Sequence, residues 1–426
     1  MPLHRFVPKS TYARNVITLM TGTACAQALP IAVGPVLTRL YTPEDFGVVA
    51  IYMAIASILG VLVTGRYELA ILIPKQDRDA INIAALSAVL SVFISGLLLL
   101  VVITFNQAIV QLLAAPELSD WLYWVPASTL LSGIYQSLNY WSNRKCQYKR
   151  LAISRTAQSG STSLAQLAAG TAGAGTTGLV GGQLTGDALS TAVLVRLIYQ
   201  EDKALIQSIQ RSRIIALAKK YFNFPKYLMI AHGLNTASSQ IPVMLLGTLF
   251  NSATAGFYTM TQRVMGTPMS LVAGALGDVF RQEASYAYAH YGNCKAIYTK
   301  TLKRLLIMAS IPFLVFFFIA PKLFAFIYGE EWRIAGEYAR ILTPMFFLKF
   351  ITSPISQVAV IAQRQKIDLW WQLALFSLVI ITFIIGNIVK NSTHTIIMFS
   401  GIYSLMYLIS GYINFKISGG RNVANS

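Results

Sequence analysis

The sequence predicts an all-α membrane protein of about 12 transmembrane helices in two pseudo-symmetric six-helix lobes. Three observations predict it. Of the 426 residues 55% are hydrophobic and 12% charged, and the mean hydropathy is +0.57, which exceeds what a water-soluble core absorbs. Apolar runs able to cross a hydrocarbon layer of roughly 30 Å recur from Val16 to Phe415. The basic residues fall on alternate connections between those runs. A segment inside lipid must satisfy its own backbone hydrogen bonds, so each run is read as a helix.

The first helix, 15–37, follows a basic stretch with His4, Arg5, Lys9 and Arg14; no A-x-A-like cleavage site follows, so it is expected to be retained. The second, 47–73, is entered through Asp45-Phe46-Gly47, and the third, fourth and fifth are expected at 80–104, 121–143 and 151–171. The sixth, 177–199, carries Gly178, Gly182 and Gly186 at a spacing of four, which lets another helix approach closely. Gln183, Asp187 and Ser190 are expected on its opposite face. The longest polar stretch, Gln200 to Tyr221, separates six helices from six more at 224–250, 255–280, 301–327, 335–362, 368–388 and 394–416. The predicted organisation is an N-terminal lobe over 1–200, a basic linker over 201–223 and a C-terminal lobe over 224–426. Pro30 and Pro242 stand late in the first and seventh helices, and Ala255-Gly256-Phe257 parallels the turn at Gly47, as an internal duplication would leave them.

An even helix number puts both termini on one side. With that side cytoplasmic, 26 of the 34 lysines and arginines lie inside, from Arg5 to Arg421. Outside are Arg39, Lys322, Arg333, Arg340 and Lys390, and within helices are Arg66, Arg263 and Lys349. The net charge of +18 is thus read as topology, with no nucleic-acid partner. Cys25, Cys146 and Cys294 are odd in number and far apart, and the four histidines are scattered, so no disulfide framework, metal or cofactor is expected. Gly173 to Gly178 fits G-x-G-x-x-G, but no strand precedes it and it falls in an outer turn, against a dinucleotide site.

Ionisable groups at membrane depth cost at least about 2.5–3.5 kcal/mol and usually face a protein interior or a wet cavity. Asp187 is one. Thr259, Gln262, Arg263, Gly266 and Ser270 form a polar stripe on the eighth helix; Lys349, Thr352, Ser353, Ser356 and Gln357 form another on the tenth. On the second helix Ser57, Gly60, Thr64 and Glu68 share a face, with Arg66 expected on the other side. Two readings stand for these charges: ion pairs that hold helices together, or a transport path. More cations than acids at this depth suit an anionic, phosphate-bearing guest. A carrier of organic cations would line its path with carboxylates, for which Asp187 and Glu68 are the candidates.

The stretch Leu37 to Ala80, LTRLYTPEDFGVVAIYMAIASILGVLVTGRYELAILIPKQDRDA, resembles the second-helix region of bacterial polysaccharide-biosynthesis flippases of the O-antigen type. Those proteins belong to the multidrug, oligosaccharidyl-lipid and polysaccharide exporter superfamily. Gly178-Leu179-Val180-Gly181-Gly182 resembles their sixth helix, and the helix count agrees along the chain. The resemblance implies a V-shaped pair of lobes, alternating access, and an undecaprenyl-diphosphate-linked oligosaccharide as cargo in the lipopolysaccharide pathway, with polysaccharide polymerase machinery as a partner. It also carries cavity arginines over to Arg66 and Arg263.

The resulting expectation is a non-enzymatic flippase of a bacterial inner membrane, both termini cytoplasmic. Arg263, Lys349 and Arg66 would hold the diphosphate, and Gln262, Gln183, Thr352 and Ser356 the glycan. Asp187 and Glu68 would couple a cation. The rivals are a cation-coupled drug antiporter of the same superfamily and a membrane polysaccharide polymerase; the outer loops are too short for the catalytic groups of the latter.

Overall fold

The computed structural model describes residues 9–113, 115–362 and 364–420; Arg5 and Arg421 of the charge argument lie outside them. Among the described residues there is no strand, and twelve helices have at least 20 residues. They are α1 Lys9–Leu40, α2 Pro43–Leu62, α3 Asp77–Leu113, α4 Val125–Arg144, α5 Tyr148–Thr171 and α6 Gly175–Glu201. After the linker come α7 Ile230–Leu249, α8 Ser252–Tyr291, α9 Lys295–Tyr328, α10 Arg333–Thr352, α11 Gln365–Val389 and α12 Ser392–Ser418. The protein is an all-α membrane protein. Each expected helix has a counterpart; α8 runs eleven residues past its expected end at 280.

Among the described residues six stretches, on α2, α3, α9, α10 with its continuation to Ile361, α11 and α12, are by length and composition apolar enough to cross a membrane. The more polar α1, α4, α5 and α6 turn hydroxyls and amides toward one another, which removes those groups from lipid. Ser159 Oγ and Arg155 Nη1 of α5 donate to Ala26 O (2.7 Å) and Thr23 Oγ1 (2.7 Å) of α1. Tyr41 OH at the end of α1 donates to Gln166 O of α5 at 2.6 Å. The glycine spacing on α6 serves the contact it predicted. A Cβ added at Gly182 would stand 3.0 Å from Gln166 N, and one at Gly186 2.9 Å from Gln158 O, so α5 and α6 touch backbone to backbone there.

The chain forms two compact units, Met1–Thr248 and Leu249–Ser426. In the first, Thr42 caps α2 in a reciprocal capping box with Asp45, and Pro43 opens the helix, where its missing N–H costs nothing. The linker, with short helices Lys203–Ile206 and Arg211–Lys220, is fastened to this unit. Tyr67 OH donates to Ala218 O (2.9 Å), Gln210 N to Asn82 Oδ1 (2.8 Å), and Arg213 pairs with Asp79 (2.7 Å). Arg150 lies buried between Glu201 and Asp202, and Asp202 also accepts the Trp141 indole N–H at 3.0 Å. In the second unit an aromatic core of Phe257, Trp332 and Tyr338 packs edge to face, and Thr261 Oγ1 donates to Ala335 O at 2.8 Å, which locks α8 to α10.

One expected element breaks. The second helix is not continuous over 47–73: α2 ends at Leu62, Gly65 and Arg66 take left-handed conformations (φ 56° and 59°), and a 3-10 turn covers Tyr67–Leu72. Helical phase therefore does not separate Arg66 from Glu68. α10 breaks as well, at a 3-10 turn over Ser353–Ile355 that contains Pro354, which has no N–H to continue the ladder.

Candidate functional site

Three groups of polar side chains stand among the long helices, two in the first unit and one in the second. The first surrounds Asp187. Its Oδ1 accepts from Gln158 Nε2 (2.7 Å) and Gln183 Nε2 (3.1 Å). These residues line a cavity of about 230 Å³ with Ser57, Ser128, Ser132, Tyr135 and Ser190. Among the described residues no lysine or arginine pairs with Asp187. Asp187 does not stand opposite the glycine face of α6, as expected. Gln158 meets Gly186 with its carbonyl and Asp187 with its side chain, so the carboxylate sits at the edge of that contact.

The second group forms at the break after α2. Arg66 Nη1 donates to Glu68 Oε1 at 2.9 Å and Nη2 lies 2.7 Å from His232 Nδ1 on α7. Glu68 is fully buried, and its Oε2 and Arg66 Nε have no hydrogen-bond partner among the described residues. Two residues expected on different faces thus share one ion pair. A left-handed non-glycine residue costs roughly 1–2 kcal/mol, and the two contacts of the guanidinium offset that strain. His232 had no signal in the sequence beyond its identity.

The third group lies in the second unit, between α8 and the broken end of α10. Lys349 projects into a cavity of about 320 Å³ that is also lined by Gly266, Ser270, Asp278, Arg281, Ser353 and Gln357. Its Nζ is 5.9 Å from the Phe346 ring centre, and among the described residues no carboxylate pairs with it. Arg281 makes only a long contact, 3.9 Å, with the exposed Asp278 one turn before it. Arg263, half-buried one turn before Gly266, likewise has no hydrogen bond or ion pair with a described residue, but it is not on the wall of this cavity.

Of the other expected site residues, Gln262 gives its amide to Tyr258 OH at 2.6 Å. Thr352 is buried and bonds back to Leu348 O (2.7 Å), and Ser356 bonds to Ser353 O (2.9 Å). Ser353 and Gln357, on the same sequence stripe, are the members that reach the cavity. Asp278, inside the expected eighth helix, was not singled out, and Arg281 was counted with the inner-loop basic residues because that helix was expected to end at 280. Their spacing of four and seven from Gly274 was the available signal. No cluster of His, Cys, Asp and Glu able to hold a metal occurs among the described residues.

A family described as polysaccharide biosynthesis protein matches residues 36–336. No curated protein matches the sequence significantly. The fold is similar to that of a multidrug resistance MATE family transporter of the MOP superfamily in an inward-facing conformation, at 13% identity, TM-score 0.73, over 94% of this chain and 98% of that one. It is also similar to lipid II flippase MurJ in an inward closed conformation, at 15% identity, TM-score 0.68, over 94% and 90%.

Proposed function

The chain belongs to the polysaccharide biosynthesis protein family, and from that premise we propose that it is a flippase which carries an undecaprenyl-diphosphate-linked oligosaccharide, such as an O-antigen unit, from the cytoplasmic to the periplasmic leaflet by alternating access. One observation carries the reading: in the second unit Lys349 and Arg263 lack any described carboxylate partner, so the charge they lack is supplied by an anionic guest. A diphosphate offers it in the form guanidinium and ammonium groups bind best. Lys349 and Arg263 take that role, with Arg281 on the cavity wall. Arg66, in the first unit, is open to an anionic guest only after releasing Glu68 and His232. Gln183, Gln262, Thr352 and Ser356 remain the proposed glycan contacts, and Ser353 and Gln357 add two that already face the cavity. No covalent chemistry is assigned to any residue.

Asp187, with two amide donors and no cation, supports cation coupling there; Glu68 is the lesser candidate because Arg66 already holds it. The same carboxylate favours the second reading, a cation-coupled antiporter of drugs. In a strain deleted for this protein, lipid-linked oligosaccharide is expected to accumulate on the inner leaflet and to be delivered outward when the protein is resupplied. Normal delivery in the deletion strain, with no second flippase present, overturns the flippase and leaves the antiporter. The polymerase machinery is a proposed partner downstream of delivery.

The bacterial inner membrane with cytoplasmic termini belongs to the same proposal, and the cysteines test it. Cys146 is exposed in the turn between α4 and α5, whereas Cys294 is buried ahead of α9, where burial pushes its thiol up to about 11. A thiol so far above neutrality presents almost no thiolate. In a Cys25→Ser background an impermeant maleimide is expected to label Cys146 from the cytoplasmic side alone and to leave Cys294 unlabelled. Labelling of Cys146 from outside reverses the orientation.

A further inference from the structure

The linker-bearing end of the first unit separates its charges. Asp77 is taken by Arg144 and Lys145, Asp79 by Arg213, and Glu201 and Asp202 by Arg150. These carboxylates fasten the linker and the neighbouring turns, and each of them, the exposed Glu201 included, is already held by a cation. On the linker and the turn that follows it, Arg211, Lys219, Lys220 and Lys226 are exposed, and none pairs with a described carboxylate. Between them stand exposed apolar groups, with Ile215 48%, Phe222 58% and Tyr227 58% accessible.

On the helix Arg211–Lys220 the two kinds of residue share a stripe. Arg211, Ile215 and Lys219 recur every four residues, and Phe222 follows on the same side, while Leu217 is buried against the unit. The chain then passes through Phe224–Met229 directly into α7, which fixes this surface at the entrance to that long helix. Aromatic and aliphatic groups interleaved with lysines that have no carboxylate partner, two of them over tyrosine rings (Lys220 on Tyr221 at 5.4 Å, Lys226 on Tyr227 at 5.0 Å), match the boundary between acyl chains and headgroups.

From this charge segregation we infer that the linker is a docking surface for anionic phospholipid headgroups of the leaflet on its side. Lys219, Lys220 and Lys226 meet the phosphates, and Phe222 and Tyr227 enter the acyl boundary. The inference rests on the reading of the chain as a membrane protein and not on its cargo: a drug antiporter with this linker would bind the same lipids.

The test uses the full-length protein in bilayers of phosphatidylcholine with a minor fraction of spin-labelled phosphatidylglycerol or spin-labelled phosphatidylcholine, comparing wild type with Lys219→Gln/Lys220→Gln/Lys226→Gln. Wild type is expected to prefer the anionic probe by about threefold or more and to lose most of that preference in about 0.5 M salt. The triple variant is expected to show little preference at low salt, with an unchanged thermal midpoint. A control variant, Lys322→Gln/Lys390→Gln, is expected to keep the wild-type preference. The inference is overturned if wild type shows no preference, if the triple variant retains it, or if the control loses it equally. Loss of preference with glycolipid delivery intact leaves both this inference and the flippase standing; intact preference with failed delivery removes the flippase alone.

Discussion

Replacing Lys349 by alanine is expected to slow delivery of lipid-linked oligosaccharide to the outer leaflet by about ten- to hundredfold, which is the loss of one hydrogen-bonded charge contact of roughly 1.5–3 kcal/mol. Lys349 projects into the second-unit cavity with no described carboxylate to neutralise it, so removing it frees no buried acid and disturbs no ion pair. The expected effect is therefore on transport and not on stability. Lys349→Arg keeps the charge and should retain most of the rate, whereas Lys349→Gln should behave like alanine. Arg263→Ala is expected to act in the same direction, since it too lacks a described partner. The measurement is the rate of glycolipid delivery at matched protein levels, with the thermal midpoint recorded beside it. Full activity in both alanine variants would remove the anion from this site and move the weight to Asp187.

Arg150→Met is expected to lower the thermal midpoint by about 10 °C, from a cost of roughly 3–5 kcal/mol for breaking a buried ion pair by removing one partner. The Arg150 guanidinium, 4% exposed, pairs with Asp202 at 2.8 Å and with Glu201. Without it Asp202, itself buried, keeps only the Trp141 indole N–H among these contacts. A buried carboxylate with one neutral donor is poorly compensated. The double variant Arg150→Met/Asp202→Leu removes both charges and is expected to recover most of the loss, because well-packed apolar groups often match a buried pair. Unfolding followed by size-exclusion in detergent checks this. A midpoint within about 2 °C of wild type in the single variant would show that Asp202 finds another partner or is hydrated.

The two predictions divide along a line that the sequence partly drew. Lys349 and Arg263 were legible as charges on polar helical stripes, because an ionisable residue inside an apolar run is conspicuous wherever the chain folds. Arg150 was legible only as one more inner-loop basic residue, a marker of orientation. Its partners lie more than fifty residues along the chain at the far end of α6, and nothing local to Arg150 points to them. The same holds for Asp187: its depth was apparent, but Gln158 reaches it only because Gly182 and Gly186 let α5 and α6 approach closely.

The break after α2 shows where helical phase stops being a guide. A stretch such as Leu59 to Leu72 satisfies an apolar helix, and Gly65 alone does not force a turn. The protein nevertheless turns there, and the left-handed Arg66 brings its guanidinium to Glu68 and, across 166 residues, to His232. Arg66 is accordingly spoken for in this structure in a way that Lys349 is not.

By itself the sequence determined that the chain is helical, that it spans a membrane repeatedly, and where the long helices lie. Those properties follow from the desolvation cost of backbone and charged groups in lipid, which each segment meets on its own. Only the tertiary structure decided which cations are neutralised by acids and which stay free, where helices break, and which members of a polar stripe face a cavity. These depend on partners distant in sequence and on a few ångströms of helix approach, neither of which a single segment encodes.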